Sequence, residues 1–289
     1  MFRSFLMAIV VGCLVPTGVA RGSDAPALSA WFVDSLVKVF PSDASGTHAL
    51  RSAEFGAARN QHVSVQLALR SIRPLPDLTV EVKPLEGGAG RRISGVEVQR
   101  VAYVVVGSHT PDCPPEELVG EAPGWYPDPL EDFPFDLAAR RSTPIWVTIH
   151  VPTDAVAGVY ESSILVRSAG RLLARKPFRL KVVSASVPEG MSLKVTNWFS
   201  LDDKTSRQFY DVAAFSPQWW TLVSNVARVL AAHRQNVILT PLLTLIQPRI
   251  DADNLVYDFS NFDRWVETFK QAGAIGYIEG SHLLDRAGS

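Results

Sequence analysis

Two adjacent carboxylates, Asp202 and Asp203, are the residues of this sequence that most resemble an acid-base pair. Adjacent acids can divide the roles of general acid and general base between them. Lys204 and Arg207 are close by in the sequence and can neutralise both acids. Acids that open a polar segment are more often solvated or capping than catalytic, so we expect a capping or solvated pair.

Glu279, before Gly280, is a single carboxylate that could serve as a general acid, but no second positioned carboxylate accompanies it. The six histidines are scattered without metal-ligand spacing, so we predict no bound metal. A glycine-rich phosphate loop and a G-x-S-x-G motif are both absent from the sequence. We therefore predict no cofactor and neither nucleotide nor serine-hydrolase chemistry.

The first twenty residues, MFRSFLMAIVVGCLVPTGVA, have the pattern of a secretory signal peptide. We expect cleavage after Ala20, because small residues end the segment there. The apolar run stops well short of the about 20 residues that a membrane span needs. Lipoprotein cleavage at Cys13 is the alternative, and it would leave a very short apolar region before the cysteine. The expected protein is secreted or periplasmic, has no membrane span after signal removal, and keeps Cys113 as an unpaired loop thiol.

Composition sets the class of protein. The 289 residues, 47% of them hydrophobic and 20% charged, are typical of one or two soluble globular domains. The net charge of -1 makes nucleic acid an unfavourable partner. The 20 prolines and 19 glycines, without a repeat, favour many short strands separated by turns.

Residues 30–187 show the alternation of half-buried strands and predict an antiparallel β-sandwich. Apolar residues recur at every second position from His62 to Arg70 and in five later runs, and Trp31–Phe40 is expected to add a strand. We expect an irregular insert at 108–143, whose aromatic residues could stack on sugar rings or pack at a domain junction, with packing favoured. These aromatic residues are Trp125, Tyr126, Phe133 and Phe135.

The period changes after residues 186–190, where we place a domain boundary. Strands are expected at 193–199, 236–243 and 274–278. Two helices separate them, one opened by Ser216 and Pro217 and the other capped by Ser260 and ended by Gly273. This order predicts parallel βαβ units. A (β/α)₈ barrel needs about 250 residues, so 193–289 would be the first βα units of an incomplete barrel, and we expect a truncated chain.

Two segments carry a resemblance to a known family. PIWVTIHVPTDAVAGVYESSILV (144–166) and EFGAARNQHVSVQLAL (54–69) resemble the N-terminal β-sandwich of glycoside hydrolase family 123. In that family the sandwich precedes a catalytic (β/α)₈ barrel. LKVTNWF, NVILTPLL and AIGYIEGSHL look like the first three strands of that barrel, and the resemblance runs from about Trp31 to the end.

The resemblance implies an activity on β-linked N-acetylhexosamine glycans, as in the family's β-N-acetylgalactosaminidases. The implied mechanism is retaining hydrolysis in which the 2-acetamido oxygen of the substrate is the nucleophile. An adjacent Asp-Glu pair then orients the acetamido group and acts as general acid and base. No match to that pair occurs in this sequence, so whether the chain is an enzyme is left open.

The same resemblance points to three residues that could bind substrate at strand ends. Asn197 and Trp198 lie at the end of the first expected barrel strand, and His282 lies at the end of the third. In a complete barrel Trp198 would wall a sugar pocket, and Asn197 and His282 would bind hydroxyl groups. The alternative is that they pack the top of the barrel or its junction with the sandwich, which is favoured for Asn197 and Trp198 and open for His282.

Two other functions remain open. The sandwich could be a non-catalytic carbohydrate-binding protein that uses Trp125 and Tyr126. The chain could instead be an inactive fragment of a longer glycosidase, whose strands from Leu193 onward would leave an unpaired edge. The resemblance implies a place in carbohydrate metabolism and a glycan or glycoconjugate as the partner, whereas the fragment would have no independent function.

Overall fold

The computed structural model describes residues 28–190, 192–252 and 254–280. The chain divides into two compact units, which join between Val187 and Pro188. The expected signal peptide and His282 lie outside the described residues. Among the helices that are described, none is both long and apolar enough to cross a membrane.

The first unit is a β-sandwich. Its strands are β1 (Leu28–Val33), β2 (Glu54–Arg59), β3 (Gln61–Ser71), β4 (Leu75–Val82), β5 (Leu85–Gly87), β6 (Arg92–Ile93), β7 (Val96–Val106), β8 (Gly124–Glu131), β9 (Phe135–Leu137), β10 (Ser142–Val151), β11 (Gly158–Ser168) and β12 (Arg171–Ser186). Two short 3₁₀ turns, Gly88–Gly90 and Pro115–Glu117, interrupt the connections.

The strands form two sheets whose facing sides make the core. One sheet has the order β1-β3-β10-β7-β8, and the other has the order β2-β12-β11-β4-β9, with β5 on β11 and β6 on β5. Alternate residues of β3 point inward, and Val65, Leu67 and Leu69 are fully buried. The predicted sandwich is therefore confirmed. β3 is not half-buried as predicted, because Gln66 and Ala68 on its other face are buried as well. The pairing is antiparallel throughout the described sheets of this unit except between β2 and β12, which run parallel.

The prediction of an irregular insert at 108–143 was wrong in part, because this segment contains two strands. β8 pairs with β7, and β9 pairs with β4. β8 contains Pro127 and Pro129, which are typical of loops, but β8 is the edge strand of its sheet and an edge strand tolerates proline. The strand predicted at Trp31–Phe40 also ends early, at Val33, where the Asp34 side chain accepts the Leu36 N–H at 2.8 Å and starts a turn.

The second unit alternates helices with short strands. Its elements are α1 (Asp203–Tyr210), α2 (Pro217–Ala232), β13 (Val237–Thr240), α3 (Leu242–Leu245), β14 (Gln247–Asp251), β15 (Asn254–Asp258), α4 (Ser260–Ala272) and β16 (Tyr277–Gly280). β13 and β16 are parallel, whereas β14 and β15 form an antiparallel hairpin. Trp219, Trp220, Val223, Trp265 and Phe269 form the centre of its core.

Of the two predicted helix starts, the first is confirmed and the second is corrected. Ser216 is the N-cap of α2, since its hydroxyl accepts the Trp219 N–H at 3.2 Å, and Pro217 is the first helical residue. Ser260 does not cap α4. It is the first residue of the helix and its hydroxyl donates to Asp258 at 2.6 Å. Gly273 ends α4 with a φ of +77°, as its freedom from a Cβ predicts.

The predicted strands of the second unit needed larger corrections. Residues 193–199 form no strand, although they lie beside the start of β13. β13 stops at Thr240 because Pro241 leads into α3, and the last strand begins at Tyr277 instead of Ala274. The described residues of the second unit show one parallel strand pair, so the beginning of a barrel stays a prediction.

Candidate functional site

The carboxyl ends of β13 and β16 meet at one edge of their sheet, where Thr240 is in register with Gly280. Ligands of parallel α/β sheets bind at this end of the strands. Glu279 lies one residue before the end of β16 and is half-buried. This edge therefore presents a carboxylate at the position where such folds hold functional groups.

Two side chains from the segment before α1 bind Glu279. The Thr196 hydroxyl donates to Oε2 at 2.8 Å, and the Trp198 indole N–H donates to Oε1 at 3.0 Å. One donor on each oxygen fixes the plane of the carboxylate, and each oxygen keeps capacity to accept another hydrogen bond. Trp198 is 64% exposed, so its ring stands beside the oriented carboxylate with much of its surface open. We call Thr196, Trp198 and Glu279 the strand-end site.

Asn236 holds this segment against the sheet. Its side-chain Oδ1 accepts the Val195 N–H at 2.8 Å, and its Nδ2 donates to the Leu193 carbonyl at 3.0 Å. Its own carbonyl accepts the N–H groups of Gly276 and Tyr277 at 2.8 and 3.0 Å. One residue thus joins the segment that carries Thr196 and Trp198 to the strand that carries Glu279.

Asn197 points to a different partner. Its Nδ2 donates to Gln235 Oε1 at 3.1 Å, and Gln235 Nε2 donates back to the Asn197 carbonyl at 3.3 Å. Gln235 is buried, so this contact fits the packing alternative for Asn197. The structure brings Trp198 together with Glu279, and His282 lies outside the described residues. Substrate contact by Asn197, Trp198 and His282 stays a prediction.

The Asp202-Asp203 pair is structural, as expected. Asp202 is the N-cap of α1 and accepts hydrogen bonds from the Ser200 hydroxyl and the Thr205 N–H, both at 2.7 Å. These two bonds, the hydroxyl first, lower the pKa of the Asp202 carboxyl. Asp203 accepts from Arg207 Nε at 2.7 Å, which is the main cause of its lowered pKa.

The aromatic residues of the predicted insert divide into packed and open ones. Phe135 is buried and lies 5.7 Å from the Phe133 ring, and Tyr126 meets Phe40 edge to face at 5.4 Å. Trp125 is 49% exposed. Its ring borders a cleft of about 440 Å³ and faces the guanidinium of Arg141 at 5.6 Å. We call this the Trp125 cleft.

Thr196, Gln235 and Asn236 were not predicted from the sequence. Thr196 and Asn236 lay inside predicted strands, where alternation says which face a residue takes but not what it binds. Gln235 sat between a helix and a strand without any pattern. The signal that was available was the pair Trp198 and Glu279, two functional side chains that each lie near the end of an expected parallel strand.

Comparison with known proteins finds a matching family profile in each of the two units. A family profile described as the glycoside hydrolase 123 N-terminal domain matches residues 42–168. A second profile, described as the glycoside hydrolase 123 catalytic domain, matches residues 198–283. Together the two profiles span more than two thirds of the chain. No curated protein matches the chain.

Solved structures agree at the level of the fold. A family 123 glycoside hydrolase from Clostridium perfringens, studied for glycolipid glycan hydrolysis, superposes with a TM-score of 0.72 at 13% identity. That match covers 88% of this chain and 48% of the other, so this chain spans about half the length of that enzyme. A PapD-like domain of human CEP192 (TM-score 0.28, 10% identity, 62% of this chain and 100% of that one) is too distant to carry an argument. On these two profiles and this fold, the chain belongs to glycoside hydrolase family 123.

Proposed function

We propose that this protein acts on glycans that contain β-linked N-acetylhexosamine and that it binds them at the strand-end site. Membership of a glycoside hydrolase family supports the class of ligand. The observation that carries the proposal is the Glu279 carboxylate, whose two oxygens are held by Thr196 and Trp198 beside an exposed indole ring. An indole face suits the C–H face of a sugar ring, and an oriented carboxylate accepts hydrogen bonds from its hydroxyl groups.

The reaction proposed for the family's substrate is retaining hydrolysis with the 2-acetamido oxygen as the nucleophile. It requires an adjacent Asp-Glu pair, and no Asp is followed by Glu anywhere in the 289 residues. We therefore assign to the residues of this chain the binding and orientation of the glycan. The general acid and general base remain unassigned. We also propose that 193–280 adopts the start of a (β/α)₈ barrel, and that residues 1–20 direct export.

The test is the affinity of the full chain for an oligosaccharide that ends in β-linked N-acetylgalactosamine, measured by calorimetry. We expect Trp198→Ala to weaken binding at least tenfold, and Glu279→Gln, which keeps the size but not the charge, to weaken it several-fold. Tyr257→Ala is the matched control, because Tyr257 is an exposed aromatic residue on the β14–β15 hairpin. Equal affinities of the Trp198 and Tyr257 variants would refute the strand-end site.

Hydrolysis is measured separately, with 4-nitrophenyl β-N-acetylgalactosaminide. Binding without turnover is the result that our assignment of residues predicts. Turnover that survives in Glu279→Gln would place a general acid and a general base elsewhere in this chain. That result would overturn the restriction of its residues to glycan binding.

The second candidate function is non-catalytic carbohydrate binding by the sandwich. The Trp125 cleft favours it, because Trp125 is the aromatic residue of the insert that packing does not cover. Asp43 and Glu121 line the same cleft and offer carboxylates to sugar hydroxyls. Unaltered binding of hexosamine-containing glycans by Trp125→Ala would exclude this candidate.

A further inference from the structure

A second cleft, of about 660 Å³, lies on the sheet β2-β12-β11-β4 of the sandwich. We call it the outer cleft; its lining is formed by the start of β2, the β4–β5 turn, β11 and β12. We infer that the outer cleft binds a short neutral oligosaccharide. This inference does not rest on the proposed function, since the residues involved all belong to the first unit.

A row of charged residues crosses four strands in the outer cleft. The strand registers place Glu54 of β2 beside Arg179 of β12, Arg179 beside Glu161 of β11, and Glu161 beside Glu86 of β5. Directly paired residues share one face of a sheet, so these four side chains stand on the same side. The alternate residues Phe55, Leu180 and Leu85 turn toward the core.

The row is not neutralised internally. Arg179 Nε bonds Glu161 Oε1 at 3.1 Å, and this is the ion pair found within the row among the described residues. Glu86 stands opposite Glu161, and carboxylates that face each other across a strand pair repel. Neither Glu86 nor Glu54 has an ion pair within the part of the chain that the structure describes. Both carboxylates therefore remain available as hydrogen-bond acceptors.

The floor of the outer cleft adds oriented polar groups. The Ser163 hydroxyl is buried and accepts from Arg175 Nε at 3.2 Å. The Ser162 hydroxyl donates to the Lys83 carbonyl at 2.5 Å, which joins β11 to the β4–β5 turn. Pro84 and Pro177 also line the cleft and supply rigid apolar C–H surface. Fixed polar groups beside apolar patches are what the surface of a sugar ring requires.

Charge balance selects the class of ligand. The lining holds three cations, Lys83, Arg175 and Arg179, and three carboxylates from the row described above. An anionic ligand would meet the carboxylates, and a cationic ligand would meet the guanidinium groups. A sugar hydroxyl both donates and accepts, so it can satisfy carboxylates and guanidinium groups at once. The volume falls within the about 300–1,000 Å³ of small-ligand sites.

The experiment uses the full chain on an array of neutral, sulfated and sialylated oligosaccharides, followed by calorimetry with the best neutral binder. We expect binding to neutral members and a loss of at least fivefold in affinity for Glu86→Gln and for Arg179→Ala. Lys181→Ala is the matched control, because Lys181 lies two residues from Arg179 on β12 and outside the cleft. Arg179 and Glu161 are exposed, so breaking their pair costs little stability. Glu86 is exposed as well, so both variants should fold.

Five outcomes would overturn the inference. Preference for sulfated or sialylated members would show that the cations dominate the cleft. Equal affinities of the Arg179 and Lys181 variants, or no binding on the array, would show that the outer cleft holds no saccharide. Loss of binding in Trp125→Ala alone would assign the ligand to the Trp125 cleft, and loss in Trp198→Ala alone would assign it to the strand-end site.

Discussion

Replacing Asn236 with alanine tests how the strand-end site is positioned. The substitution removes the acceptor of the Val195 N–H and the donor to the Leu193 carbonyl. Val195 is half-buried, so its N–H loses a partner that water replaces only in part. Leu193 is exposed, so water takes over at its carbonyl.

The magnitude follows from these two environments. An unsatisfied buried donor costs about 1–3 kcal/mol, whereas a hydrogen bond whose partner turns to water costs about 0.5 kcal/mol. We expect Asn236→Ala to lower the free energy of unfolding of the second unit by about 2 kcal/mol. Asn236→Asp keeps the acceptor for Val195 and loses the donor. Its second carboxylate oxygen then faces the Leu193 carbonyl, which is exposed and can turn to water, so the cost should be about 1 kcal/mol and smaller than that of the alanine variant.

The assay is urea unfolding followed by tryptophan fluorescence, with the far-ultraviolet circular dichroism of the sandwich recorded in parallel. Four of the seven tryptophans, at 198, 219, 220 and 265, belong to the second unit and report on it. The alanine variant should also bind the glycan more weakly, because the segment that carries Thr196 and Trp198 loses its attachment. Equal stabilities of the alanine and aspartate variants would refute the assigned roles of the two amide atoms.

Three further changes test other contacts. Trp265→Ala should lower the free energy of unfolding by about 3–5 kcal/mol, because it removes a large buried side chain. Trp265→Phe should cost far less, because the buried Trp265 Nε1 has no hydrogen-bond partner among the described residues. Equal losses of the two variants in thermal unfolding would contradict this. Asp202→Ala should cost about 1 kcal/mol as a lost N-cap. The pKa of Asp202 is lowered in the folded protein, so its stabilising contribution is complete above about pH 4, the usual range of an unfolded Asp, and falls as the pH drops through the lower folded value. Urea titrations of the wild type and the alanine variant should therefore converge in acid. Tyr103→Phe should cost about 1 kcal/mol, because its half-buried hydroxyl shares its single hydrogen between the carbonyls of Val39 and Ser142 at 3.0 and 2.8 Å. An unchanged unfolding midpoint would contradict that.

The sandwich was predictable because apolar and polar residues alternate along a half-buried strand. β10 shows this pattern, and the structure buries one face of it. β3 alternates in sequence as well, but both of its faces are buried from Val65 to Leu69, because Ala68 packs in a second apolar cluster with Trp31, Val33 and Val39. β8 was missed because an edge strand has few packing neighbours, so its sequence need not alternate and can include proline. The parallel pairing of β2 with β12 was not predicted either, because the residues of a strand do not indicate whether its neighbour runs parallel or antiparallel.

The second unit was harder to predict because its strands are short and its helix signals differ in strength. α2 begins with Ser216 and Pro217, a local signal that needs no tertiary contact. α1 was not predicted, because its sequence is polar and has no apolar face of the usual width. Asp202 and the Asp203–Arg207 pair stabilise it locally. β13 and β16 have four residues each, too few to show a period, so their bounds differ from the predicted ones by up to three residues.

The strand-end site shows why a carboxylate should be judged by its partners as well as by its neighbours in sequence. Glu279 looked weak as a general acid because no second carboxylate accompanied it. In the structure its partners are Thr196 and Trp198, which lie 83 and 81 residues away in the chain. No local pattern could join residues at that separation, because tertiary contacts such as the parallel pairing of β13 with β16 and the hydrogen bonds of Asn236 bring the two segments together. A carboxylate oriented by a hydroxyl and an indole N–H is suited to binding a ligand's hydroxyl groups, and this role needs no second acid.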